Sequence, residues 1–207
     1  MRLFILLLVL VIPPLQAQER PPSWAIRYSP LHLAYLDPTI QFQFEKFLTP
    51  QTSWTTSLGI GHHILFPNRD IQGTIQGKVG IKKYLTPFQG GKKNNFYIGF
   101  EGMYKYTLED KHAFIRDNSG EIAHFKLQVH GLAGHAMVGW TLMNPDAPSL
   151  DFYVGLGIRH LQNRNKGLSS SQPWEEPLTQ YNRTAGNFTS LSPLLGLCIG
   201  IGHWKNK

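Results

Sequence analysis

The sequence predicts an all-β fold, an eight-stranded antiparallel up-and-down transmembrane β-barrel with a cleavable N-terminal signal peptide, and three observations predict it. The chain opens on an export signal. The residues after it alternate apolar and polar with period two rather than with helical period. The connections between the alternating runs take turns at being short and long.

The export signal comes first. Met1-Arg2 precedes an apolar stretch over residues 3–12, then the helix-breaking pair Pro13-Pro14 and a small residue at Ala17. That order of positive, apolar and small-residue regions is a secretory signal with cleavage before Gln18. Ten apolar residues cover roughly 15 Å as a helix, about half a hydrocarbon core, too short for a retained anchor. The expected division is a signal peptide over 1–17 and a barrel domain over 18–207.

Composition narrows the partners. Removing Arg2 leaves 19 basic residues against 13 acidic ones, a net charge of +6. Export takes the chain away from nucleic acid, and the basic residues are scattered rather than massed, so no nucleic acid is expected; anionic lipid head groups or surface polysaccharide fit better. Cys198 is the only cysteine, so the chain forms no disulfide within itself and has no acylatable thiol beside the cleavage point. Twenty glycines and 12% aromatic residues suit a curved, membrane-spanning sheet.

Each strand is justified by its alternation. In Ile40-Gln41-Phe42-Gln43-Phe44-Glu45 the apolar side chains fall at even positions and the polar ones at odd positions. Ile75, Val79 and Ile81 oppose Gln76, Lys78 and Lys82; Phe96, Ile98, Phe100, Gly102, Tyr104 and Tyr106 oppose Tyr97, Gly99, Glu101, Met103 and Lys105. Phe152, Val154, Leu156 and Ile158 oppose Tyr153, Gly155, Gly157 and Arg159, and Leu195, Leu197, Ile199 and Ile201 oppose glycines and Cys198. Weaker alternation over 24–35, 52–64 and 122–142 completes eight strands. In the sixth, the phase slips near 130–132, which predicts a bulge.

Proline-marked turns at 48–51, 86–94 and 143–149 are short, whereas 109–121 and 163–190 are longer and polar; 36–39 alone is short where a longer loop is expected. With both termini in the periplasm, the short set faces inward to the cell and the long set outward. The alternation does not by itself say which face encloses the lumen. Charges of both signs in similar supply suit a narrow lumen filled by ion pairs, with Glu45, Lys78, Lys82, Glu101, Lys105 and Arg159 as the candidates. A soluble lipocalin-like carrier, its apolar face turned inward, is the competing architecture.

The segments Ser29-Pro30-Leu31 and Gln43-Phe44-Glu45-Lys46-Phe47-Leu48-Thr49 resemble the opening hairpin of small outer-membrane β-barrel proteins common in Bacteroidota, a largely uncharacterised family. Tyr153-Val154-Gly155-Leu156-Gly157-Ile158-Arg159 and Pro193-Leu194-Leu195-Gly196-Leu197-Cys198-Ile199-Gly200 are similar to their last two strands, and the Ala17-Gln18 junction to their signal peptides. The resemblance implies an outer-membrane location, outer-membrane lipid as surroundings and the barrel-assembly machinery as a partner. This chain departs from the pattern by following Trp204 with Lys205-Asn206-Lys207.

Residues that carry chemistry are few. Arg159-His160-Leu161-Gln162-Asn163 resembles the His-x-Ser-Asn sequence of eight-stranded lipid A deacylases, but Gln162 stands at the serine position, and a carboxamide is no nucleophile. His62-His63 point to opposite faces of a strand and cannot share an ion, and His130 and His135 fail likewise unless a bulge intervenes. No metal and no cofactor is therefore expected, and no catalytic residue. Glu45 and Glu101 read as lumen ion-pair partners rather than a catalytic carboxylate pair. The loop 163–190, with Trp174, Tyr181 and Arg183, is the candidate for binding a surface glycan or protein. The expected function is non-enzymatic, structural or through that loop; a deacylase-like enzyme centred on His160 and the soluble carrier are the alternatives.

Overall fold

The computed structural model describes residues 22–33, 39–62, 71–88, 94–115, 122–144, 147–166, 174–175 and 186–204. The expected signal peptide over 1–17 lies outside them. Among the described residues nine strands form: β1 (Pro22–Tyr28), β2 (Ile40–Thr49), β3 (Thr52–His62), β4 (Ile71–Tyr84), β5 (Asn94–Ile115), β6 (Ile122–Asn144), β7 (Ala147–Lys166), the two-residue β8 (Trp174–Glu175) and β9 (Gly186–Trp204). A 3-10 turn, Pro30–Leu33, follows β1.

Eight of these strands make one closed antiparallel ring, in the order β1-β2-β3-β4-β5-β6-β7-β9 and back to β1. β8 adds to the edge of β5 beyond the ring, Ile115 opposite Trp174. Closure satisfies every strand edge at the level of the ring and leaves no row of unpaired backbone groups there. The rim is oblique: β1 to β3 run 7 to 11 residues, whereas β5, β6, β7 and β9 run 19 to 23.

Several sequence expectations change in extent. The first strand ends at Tyr28 rather than 35, because Pro30 cannot donate to a ladder. The expected loop 109–121 is strand as far as Ile115 and again from Ile122. The expected loop 163–190 is strand to Lys166 and from Gly186. The bulge expected at 130–132 is absent: β6 keeps an unbroken register against β5 from Ile122 to Leu142, and against β7 from Lys126 to Leu142. What inverts is polarity. Below this point the outward side chains are Leu132, Gly134, Ala136 and Val138; above it they are Lys126, Gln128 and His130, while Phe125, Leu127 and Val129 are buried inward. The strand runs straight through a change of surroundings, and a period-two pattern that swaps faces mimics a one-residue slip.

At the opposite end the ring is closed by aromatic packing. Phe47 stacks on Tyr84 with ring centroids 5.7 Å apart, and Phe88 sits edge-on to both. Backbone bonds from Phe88 N to Pro50 O (3.1 Å) and Tyr84 N to Gln51 O (2.7 Å) tie the segment after β4 to the β2–β3 turn. Higher up, Tyr97, Gly139, Tyr153 and Gly196 share one level across β5, β6, β7 and β9. A Cβ at Gly139 would overlap the Tyr97 ring, and one at Gly196 the Tyr153 ring. Each ring thus lies flat on the bare backbone of the next strand, which is the close approach those two glycines permit.

Candidate functional site

At the level of the apolar belt the inward face is largely polar and buried, the outward face apolar and exposed. Arg27, Glu45, Lys82 and Asp151 retain 0–1% of their surface, whereas Val79 is 65% exposed, Phe100 63%, Leu156 57% and Leu191 70%. In a soluble carrier of the lipocalin kind the apolar face turns inward; this ring has the opposite polarity.

The inward charges gather in two layers. The lower layer centres on Glu45 in β2. One carboxylate oxygen is ion-paired with Arg27 of β1 and with Lys82 of β4 at 3.4 Å; the other accepts from Ser53 of β3 and from Tyr84 OH at 2.5 Å. Lys82 Nζ also reaches Asp151 Oδ2 of β7 at 2.6 Å and lies 4.5 Å from the centre of the Tyr97 ring, whose OH donates to Asp151 Oδ1 at 2.9 Å. Six strands thereby send side chains to two cations and two anions. Burial of charge is tolerable only with such pairing; here every carboxylate oxygen has a partner, while Arg27 Nε and Nη2 have no hydrogen-bond partner among the described residues.

The upper layer is looser. Lys78 Nζ lies 3.3 Å from Glu101 Oε1, and His135 Nε2 is 2.9 Å from Ser192 Oγ. His135 Nδ1 faces Glu101 Oε1 at 4.0 Å, and both atoms lack a hydrogen bond among the described residues. Arg159 and Lys105 are half-buried on the same inward face, and Arg159 Nε is likewise without a hydrogen-bond partner there. Ser192, His135 and Glu101 stand in the order used for acyl transfer, which sequence reasoning does not find because they come from β9, β6 and β5. Ser192 is only 8% exposed, buried Leu127 and Val129 line the ring above it, and the carboxylate is beyond hydrogen-bond reach of the imidazole.

All six lumen candidates read from the sequence face inward, and Glu45, Lys78, Lys82 and Glu101 lie in ion pairs. The sequence reading missed Arg27, Asp151, Ser53 and the two tyrosines. Asp151 is in phase with Tyr153, so continuing that alternation one step back would have found it. His160 faces outward, with Nδ1 2.9 Å from Thr189 Oγ1. His130 and His135 lie on opposite faces of the unbroken β6, and among the described residues no group of three or more His, Cys, Asp or Glu side chains is placed to hold a metal ion. Trp174 lies on β8; Tyr181 and Arg183 lie outside the described residues. Comparison with protein-family models, with curated proteins and with solved structures finds no match to this chain.

Proposed function

We propose that the chain is an outer-membrane β-barrel protein, exported through the general secretory route and inserted by the barrel-assembly machinery, whose role is non-enzymatic: structural, or binding through its outer loops. The observation that carries this reading is the polarity of the ring, with paired ions enclosed and large apolar side chains outward. A continuous belt of exposed Leu, Ile, Val and Phe around a soluble monomer would drive association; in hydrocarbon the same belt is the solvated face. Its height agrees. Leu191 to Ile201 is ten steps of about 3.4 Å, and at a strand tilt of ~40° this rises roughly 26 Å, close to the ~25 Å apolar band of membrane barrels.

The aromatic side chains support the same reading. Tyr104, Tyr106, His130 and His160 ring the upper edge of the belt, where Tyr104 OH is 2.8 Å from His130 Nδ1, and Trp24 stacks on His203 at the lower edge. A barrel of eight strands is filled by its own side chains, which argues against passage of solutes larger than ions. Cell fractionation tests the proposal. The protein should resist osmotic shock and high salt, come out only with detergent, and migrate faster on gels before boiling than after. Release into the osmotic-shock fluid would overturn it in favour of a soluble carrier.

A further inference from the structure

The outward face of the β6–β7 hairpin carries more positive than negative charge among the residues whose side chains are described. Lys126 and Lys166 are direct cross-strand partners, and Arg164, opposite Gln128, lies on the same face. All three cations are exposed, and the Arg164 guanidinium donates to Gln162 Oε1 at 3.2 Å, a neutral partner. Like charges directly opposite on a sheet repel. The carboxylate described on this face is Asp110, opposite Lys126 on β5, and it already accepts from Gln72 Nε2 at 2.6 Å. Three cations therefore face outward against one shared carboxylate among the residues whose side chains are described.

What lies beneath the cations narrows what neutralises them. Descending from them, the same face presents His130 and Gln162, then Leu132 and His160 beside Thr189, then Gly134, Ile158 and Leu191. Ile158 to Arg164 is six steps, about 20 Å along the strand and roughly 15 Å in height at a ~40° tilt. A phospholipid head group occupies only about 5–8 Å beyond the hydrocarbon. A phospholipid phosphate would lie at the level of His130, His160 and Gln162, well below Arg164. A lipid whose anionic groups stand one saccharide layer above its acyl chains matches the spacing.

We propose, on the membrane reading above, that the outward wall of β6, β7 and β9 is a docking site for an anionic glycolipid of the lipopolysaccharide type. Its phosphates or sugar acids lie between Lys126, Arg164 and Lys166. Its sugars run past the histidine and glutamine side chains, and its acyl chains pack along Ile158 and Leu191. The anion relieves the Lys126–Lys166 repulsion, so binding and hairpin stability are coupled.

The test uses the full-length protein in a non-ionic detergent, titrated with rough-type lipopolysaccharide or with phosphatidylglycerol, the bound fraction being read by native gel shift. Wild type should prefer the lipopolysaccharide. K126Q/R164Q/K166Q should bind it roughly 100-fold more weakly, each basic side chain near a charged lipid surface contributing about fivefold. The control K46Q/K83Q, which removes cations at the other end of the ring, should bind as wild type does. Equal binding by wild type and the triple variant, or equal affinity for phosphatidylglycerol, would overturn the proposal. If the membrane reading itself is wrong, the wild-type protein remains soluble without detergent and fails to float with vesicles, an outcome distinct from either of these.

Discussion

Replacing Glu45 by glutamine removes one negative charge from the lower lumen and changes almost nothing in volume. The cluster then holds Arg27 and Lys82 against Asp151 alone, at a site where none of the four groups touches solvent. The carboxamide cannot replace the carboxylate, because one end of Glu45 accepts from Arg27 and Lys82 and the other from Ser53 and Tyr84, and an amide nitrogen turned to either side donates where acceptance is needed. Breaking a buried pair from one side costs about 3–5 kcal/mol. Against a typical unfolding free energy of about 5–15 kcal/mol, that is a large fraction of the whole. Urea unfolding of the barrel refolded into vesicles, followed by tryptophan fluorescence, measures the loss directly. The double variant Glu45→Gln/Lys82→Gln restores charge balance and should recover at least about half of it, a coupling only a shared network produces. A loss below about 1 kcal/mol for Glu45→Gln, the range of a solvent-exposed pair, would show that the cluster is hydrated rather than enclosed.

Other substitutions probe separate parts of the structure. Glu101→Lys sets a second cation against Lys78 and should lower thermal stability by about 2–4 kcal/mol; an unchanged melting temperature would mean that the upper lumen is open to water. Gly196→Ala drives a Cβ into the Tyr153 ring and should cost about 1–3 kcal/mol, whereas Gly134→Ala, with nothing within 4 Å of the added carbon, should stay within about 0.5 kcal/mol; unfolding curves that reverse the two would contradict the packing. Leu156→Arg, halfway up the outward belt, should destabilise the folded barrel by about 2–4 kcal/mol in lipid, and a neutral effect would argue that this face meets water. Mass spectrometry after treatment with a fluorophosphonate should show no adduct on Ser192; stoichiometric labelling that His135→Gln abolishes would instead make the upper layer a hydrolase site.

How much of this is legible in the sequence depends on the surroundings of each segment. Where a strand crosses the apolar belt with both faces typical, as in 40–45, 75–82, 96–106 and 152–158, the alternation gives element, phase and inward residues together, and Glu45, Lys78, Lys82 and Glu101 follow. Where a strand leaves the belt, the same rule misleads. In β6 the outward side becomes Lys126, Gln128 and His130 and the inward side Phe125, Leu127 and Val129, so a straight strand reads as a bulged one. The upper parts of β5, β7 and β9 look like polar loop for the same reason. Arg27 escapes because it is the next-to-last residue of a seven-residue strand, where alternation is too short to fix a phase, and Asp151 because it lies one step before the apolar run that sets the phase of β7. The Ser192–His135 contact and the Lys126–Lys166 pairing depend on register between strands, which no single-strand pattern encodes.

In the proposed membrane orientation the apolar outward face meets lipid and the charged inward face does not. Nitroxide labels at positions 79, 156 and 195, each introduced as a single cysteine in a Cys198→Ser background and reconstituted into vesicles, report it through collision rates with oxygen, which concentrates in hydrocarbon, and with a water-soluble nickel complex. Contact with lipid predicts high oxygen and low nickel accessibility at all three sites. High nickel accessibility at these positions, in protein that is folded by circular dichroism, would contradict it.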